Sequence, residues 1–206
     1  GKYICVSNVH TTVTAYENRN YRRVQNGAAM VFPDGGPLSI VCRLRGYKNA
    51  SRVTGPDFMG EIFKEKGVRQ FFYGSTPETL DKLRGILEKE HPDIQICGMY
   101  SPPFRTLSHE EDEEIVDMIN AAKPDIVWIG LGAPKQENWM AKHEGRINAV
   151  MVGVGAGFDY FAGNIKRAPM IMQKLSLEWL YRLVQEPKRL YKRYFSTNTV
   201  FLIANY

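Results

Sequence analysis

The feature that most limits what this chain can become is a strand-and-glycine pattern that occurs twice in succession over residues 123–159. Residues 125–129 form a short apolar run that stops at Gly130-Leu131-Gly132, and Pro134 stands where a helix would open. Residues 149–152 repeat the plan, broken by Gly153, Gly155 and Gly157 before Phe158-Asp159. A strand that ends in a glycine turn and feeds a helix is the repeating unit of an open α/β sheet. Two such units side by side deliver two glycine loops to one sheet edge, where these folds form their ligand crevice. Backbone amides of residues 133–136, the dipole of the helix they open and Lys135 suit a phosphate-bearing ligand, a diphosphate above all.

The rest of the chain extends the alternation. Strands are predicted over residues 3–6, 28–32, 69–73 and 94–100, which with the two above makes six. A helix is predicted over residues 11–26, closed by Gly27, and another runs from the Pro33-Asp34-Gly35-Gly36 turn to about Arg45. Thr54, with Pro56 behind it, caps a third. Ser75 to Glu78 and Ser108 to Glu111 have capping-box spacing for the helices that reach Glu90 and about Ala122. The expected fold is α/β, a Rossmann-like, doubly wound, mostly parallel six-stranded sheet over residues 1–164, followed by a helical appendage over residues 165–206.

The appendage differs in character. Residues 1–164 carry 19 Lys and Arg against 20 Asp and Glu, whereas residues 165–206 carry 8 against 2, so the net charge of +5 is almost wholly C-terminal. Residues 169–195 are rich in Leu, Met, Trp and Tyr at helical spacing, with cations between them and Pro187 dividing two helices. Trp179, Tyr181, Tyr191 and Tyr194 suit a membrane interface with anionic lipid. The same apolar residues can pack on a second subunit, which makes a homo-oligomer possible. No apolar run approaches the roughly 20 residues of a membrane-spanning helix. Cys5, Cys42 and Cys97 form no CxxC pair, as expected of a reduced, cytoplasmic setting.

The candidate substrate-binding residues gather at predicted strand ends: Asn8 and His10 after the first strand, Gly130, Gly132, Lys135, Gln136 and Glu137 after the fifth, Gly153, Gly155 and Asp159 after the sixth. Neither glycine loop fits GxGxxG or GxxxxGK[ST], and no acidic residue can be assigned to a dinucleotide ribose, which counts against NAD. Asp34 is the candidate base, because an apolar strand and a Pro-Asp-Gly-Gly turn present its carboxylate at a crevice. The plainer fate of such an aspartate is to bond nearby amides, and that of Asn8 is to cap a helix. No Asp-x-Asp occurs, so a leaving diphosphate would be met by Arg, Lys and helix amides, and no metal or other cofactor is expected.

Beyond the physics, GLGAPKQENW followed by VGVGAGFDYFAGNIKRAPMIMQKLSLEWLYRLVQEPKRLYKRY, with NVH, VFPDGGPL and RVTGPDFM upstream, closely resembles the WecG/TagA/CpsF family of bacterial glycosyltransferases. The resemblance implies a GT-E type fold and a cytoplasmic enzyme, peripheral on the inner face of the cell membrane. It implies transfer of N-acetylmannosamine or a related sugar from a UDP-sugar to a polyprenyl-diphosphate-linked sugar, with inversion and without a metal, in the synthesis of teichoic acids, capsules and related polymers. By the same resemblance Asp34 is the base, and Asn8, Arg52 and Gln136 hold the sugar or the acceptor. Arg182, Arg189 and Arg193 complete the site from the appendage, with Lys192 an alternative to the last. Val6 stands where members often carry Thr, which implies one polar sugar contact fewer.

A competing reading is a non-catalytic nucleotide-binding module whose basic tail grips nucleic acid. The large apolar residues among the cations argue against it, since a phosphate-tracking surface has no use for them.

Overall fold

The computed structural model describes residues 1–174, 177–188, 190–191, 197 and 200–201. Strands β1 (Tyr3–Ser7), β2 (Met30–Pro33), β3 (Arg69–Gly74), β4 (Gln95–Tyr100), β5 (Ile126–Gly130) and β6 (Val150–Gly153) form one sheet in the order β2-β1-β6-β5-β3-β4, with every neighbouring pair parallel. The six predicted strands are all present, each within two residues of its expected ends.

Helices cover both faces because alternate strand residues are apolar in both directions. Tyr3, Cys5, Phe71, Tyr73, Val127, Ile129 and Met151 point to one face and meet α6 (His109–Ala121) and α7 (Lys135–Lys142) through Ile115, Ile119 and Met140. Phe72, Trp128 and Val152 point to the other and meet α4 (Gly55–Ile62), α5 (Pro77–Glu90) and α8 (Gly157–Phe161). Leu83 and Leu87, one turn apart on α5, are both fully buried, and each contributes about 2 kcal/mol by leaving water. The edge strands β2 and β4 keep partial exposure, as an open sheet requires.

Local chemistry sets the element ends. Thr54 accepts the Asp57 amide at 3.1 Å, with Pro56 inside the first turn, as its sequence predicts. Ser108 and Glu111 form the expected capping box. Two expectations fail. Residues 11–26 are not one helix but two, α1 (Val9–Glu17) and α2 (Arg19–Gly27), because Asn18 ends the first and accepts the amides of Asn20 and Tyr21 to start the second. At α5 the cap is Thr76, bonded to the Thr79 amide, while Ser75 sits at positive φ one residue earlier, so the Ser75–Glu78 box does not form.

After Gly163 the chain forms α9 (Met170–Lys174) and α10 (Glu178–Gln185), and helical backbone resumes at Pro187, the expected divider. Residues 189 and 192–196 lie outside the described set, and with them Arg189, Lys192, Arg193 and Tyr194. Among the described residues no helix is long and apolar enough to cross a membrane.

Candidate active site

Strand order decides where chemistry can sit. β3 leads outward to β4 while its neighbour β5 leads the other way to β6, which makes their carboxyl ends a topological switch point. That point is closed: the Ser75 amide donates to Gly130 O at 3.1 Å, and a Cβ on Gly74 would lie 2.6 Å from the Gly130 backbone. Gly130 is itself pinned, since a Cβ there would meet the Phe158 ring at 2.8 Å. The polar residues gather one step away, over the carboxyl ends of β2, β1 and β6.

Asp34 follows β2 directly, and its amide donates to Ser7 O, the last residue of β1, at 2.6 Å. Gly35, at φ 102°, then turns the chain into α3 (Gly36–Leu44). The Asp34 carboxyl is crowded by protein. Burial pushes it up to about 7, helped by the nearby carboxylates of Glu178 and Asp57 and opposed by Arg52 and an Asn8 hydrogen bond. A carboxyl poised near neutrality at a strand end can exchange a proton at physiological pH, which suits general-base chemistry.

Asn8 takes the plainer role weighed for it, as a helix cap. Its Oδ1 accepts the Thr11 amide at 3.2 Å as the cap of α1, and its side chain also bonds Asp34. His10 is half-buried in the first turn of α1. Arg52 forms an ion pair with Glu178 of α10 and a second with Asp57 at 3.4 Å. The loop carrying Arg52 is held to the Asp34 turn by the Val53 amide on Pro33 O, 3.0 Å.

The appendage reaches the same place. Arg182 lies over the Tyr160 ring with its guanidinium 5.2 Å from the centroid, donates to Tyr160 Oη at 2.8 Å, and pairs with Glu186. Its buried Nε has no hydrogen-bond partner among the described residues. Asp159 accepts from Asn164 at 3.1 Å in the turn after α8.

The second glycine loop is supported from below. The Gly155 amide donates to Gln136 Oε1 at 3.0 Å, and Gln136 Nε2 donates to Glu137 Oε1 at 2.8 Å. A Cβ on Gly153 would come within 3.0 Å of Gln136 Nε2, so only glycine lets that side chain pass. Gln136 and Glu137 are buried, whereas Lys135 is exposed. Gly132, at φ 76°, gives its carbonyl to the Gln136 amide, so this member of residues 133–136 closes the first turn of α7.

Sequence reasoning missed what stands behind Glu137. Ser7 Oγ donates to Gln25 Oε1, Gln25 Nε2 donates to Tyr21 Oη, and the Tyr21 hydroxyl lies beside the buried Glu137 and lowers its carboxyl. The relay joins the end of β1, beside Asn8 and Asp34, to the Gly155 loop on β6. Its one visible sign was a tyrosine and a glutamine at i and i+4 on a strongly polar helix.

A cavity of about 290 Å³ opens at the opposite sheet edge, where Tyr100, Leu107, Ile115 and Met118 line it between β4 and α6. It holds none of the residues above.

A wholly parallel doubly wound sheet, with a near-neutral carboxylate and an arginine-bearing appendage over the strand ends, defines a Rossmann-like α/β protein with a polar crevice at its strand ends. The chain belongs to the glycosyl transferase WecG/TagA/CpsF family, whose model matches residues 1–206. It is therefore a glycosyltransferase. It is 34% identical over 193 residues to the N-acetylglucosaminyldiphosphoundecaprenol N-acetyl-beta-D-mannosaminyltransferase of Bacillus spizizenii, covering 92% of this chain and 73% of that protein. The enzymes of the same name from Bacillus subtilis and Staphylococcus aureus are 34% and 33% identical, over 92% and 91% of this chain and 73% and 74% of theirs.

Proposed function

We propose that this enzyme moves N-acetylmannosamine or a related sugar from a UDP-sugar to a polyprenyl-diphosphate-linked N-acetylglucosamine, inverting the anomeric centre, at the inner face of the bacterial membrane. The observation that carries the chemistry is the Asp34 setting, a carboxyl held near neutrality between Asn8 and Arg52 at the mouth of β2. The names of the similar enzymes support the two sugars.

Asp34 takes the proton from the acceptor hydroxyl as that oxygen attacks the anomeric carbon, opposite the departing UDP. Asn8 orients the carboxylate, leaving one oxygen directed at the hydroxyl. The charge that grows on the β-phosphate is met by arginines of the appendage. Arg182 has a free Nε for this, and Arg189 and Arg193 are assigned the same duty on resemblance. No bound metal is required, so EDTA leaves turnover unchanged. Gln136 and Glu137 act beneath the Gly155 loop: they hold it at the shape the donor meets.

The test is UDP release from a panel of UDP-sugars, with and without a short-chain lipid-diphosphate-linked N-acetylglucosamine. Acceptor-dependent release with UDP-N-acetylmannosamine supports the reading. Absence of UDP binding by calorimetry overturns it.

A further inference from the structure

α3 half-buries Leu38, Val41 and Cys42 but also carries apolar residues outward. A surface helix normally buries its apolar stripe and exposes polar residues. α3 buries Gly36 and Ser39 and turns Ile40, Leu44 and, beyond its end, Tyr47 to solvent, at 45%, 82% and 70% exposure. Ile40 and Leu44, at i and i+4, share one face of the helix, and Tyr47 adds an exposed ring just past its end. Single exposed apolar residues are commonplace, but an outward stripe on a helix that buries glycine and serine marks a contact surface.

The surroundings say what contacts it. Between Asp34 and Asp57 there is no acidic residue, while Arg43, Arg45, Lys48 and Arg52 all fall in that interval. Arg43, Arg45 and Lys48 are exposed and flank the stripe. Large apolar side chains with exposed cations around them fit the boundary between anionic headgroups and acyl chains. The surface is also continuous with the appendage. Arg52, at the end of the same loop, pairs with Glu178 at the start of α10. α10 buries none of its residues fully and exposes Trp179, Leu180 and Val184.

We propose that the α3 stripe, Ile40, Leu44 and Tyr47 with Arg43 and Lys48, is a second lipid-docking surface that joins α10 in seating the enzyme on an anionic bilayer. The inference rests on the glycosyltransferase reading, in which the acceptor is anchored in lipid. Its consequence is geometric. α3 begins two residues after Asp34, so a helix lying in the interface sets the base at the membrane surface, where the acceptor diphosphate emerges. Docking through α10 alone would leave the chain free to tilt about one line of contact, and the second contact fixes that angle.

The experiment is co-sedimentation of the full chain with phosphatidylglycerol and with phosphatidylcholine vesicles, comparing wild type with L44S/Y47S and R43Q/K48Q. UDP binding and sedimentation velocity are measured in parallel. Wild type is expected to prefer phosphatidylglycerol. L44S/Y47S weakens partition about tenfold or more, since apolar area drives insertion. R43Q/K48Q weakens it about fivefold per cation at low salt, and the difference disappears at high salt. UDP affinity is unchanged in both variants. Equal vesicle binding by wild type and variants overturns the α3 surface while leaving α10 docking and the transferase intact. If wild type self-associates, the variants do not, and vesicle binding is unaltered, the stripe belongs to a second copy and the lipid assignment falls. Loss of UDP binding in wild type would instead strike the reading beneath it.

Discussion

Asp34 and Asp112 are both carboxylates set among packed side chains, and their surroundings drive them in opposite directions. Burial pushes Asp34 up to about 7, with the carboxylates of Glu178 and Asp57 adding to it and Arg52 opposing. Burial also acts on Asp112 of α6, but Lys142 at 3.0 Å, the His143 ring at 3.0 Å and Arg146 at 3.2 Å outweigh it and hold the carboxyl below its usual range. The first site keeps a proton available for exchange near neutral pH. The second is a clamp that ties α6 to α7 and to the turn after it, with His143 also bonded to Trp139 O at 2.7 Å and stacked on its ring. Burial raises both carboxyls; what separates them is that the cations around Asp112 reverse that effect, while the mixed neighbours of Asp34 do not.

The largest effect that tests this contrast is on turnover. Asp34→Asn keeps the shape and removes the base, and is expected to lower kcat about 10²-fold or more while leaving UDP affinity intact. The wild-type rate is expected to rise with pH through an apparent pKa near 7, a limb that the variant lacks. Unchanged turnover would reject Asp34 as the base.

Stability should show the opposite signs. A native pKa above the unfolded value means that the folded state binds more protons over the interval between them, so the Asp34 contribution weakens as pH rises from about 4 to about 7. Asp112, with its native pKa depressed, contributes stability that is present above the unfolded carboxylate range and is lost as pH falls through the native value. Asp112→Asn is expected to cost about 2 kcal/mol, less than a fully buried pair because Lys142 and Arg146 reach solvent. In a chain of this size that lowers Tm by about 4–8 °C at pH 8, with kcat unchanged. Asp34→Asn, by contrast, is expected to raise Tm at pH 8 by about 2–4 °C, because a crowded charge is replaced by an amide. If both variants lost stability equally, the two carboxylates would not be the opposites their neighbours make them.

These two sites also differ in how far the sequence disclosed them. The Asp34 turn was legible because a Pro-Asp-Gly-Gly after an apolar run has few other geometries, and strand periodicity fixed all six strands. Thr54 and Ser108 announced their helices by local hydrogen bonding alone. Asn18 did not, because an asparagine inside a helical pattern can be tolerated or can cap, and only packing of α1 against α2 decides which. The Asp112 clamp is hidden in the acidic run Glu110 to Glu114, a pattern ordinarily found on a solvated helix face. Its partners lie 30 or more residues away, on α7 and just beyond it, so no local spacing could reveal it. Gln136 and Glu137 were found as site residues, but which way they face depends on α2, whose contact with α7 is tertiary.

That contact supports the smallest and most discriminating prediction. Tyr21 Oη takes a hydrogen bond from Gln25 and lies beside the buried Glu137, lowering its carboxyl, and Glu137 in turn accepts from Gln136, which holds the Gly155 amide. Tyr21→Phe removes one oxygen and leaves the packing of the ring in place, so the fold is retained and the loop loses part of its support. Losing one such bond is worth about 1 kcal/mol. If the loop is ordered by this relay and the donor binds on it, the cost falls on ground state and transition state alike: KM for the UDP-sugar rises about fivefold and kcat moves by less than about twofold. A variant with lower Tm and an unchanged KM would make the relay a matter of stability alone. A fall in kcat with KM unmoved would show that its other end, at Ser7 beside Asn8 and Asp34, is the end that matters, and the glycine loop would then stand apart from the base.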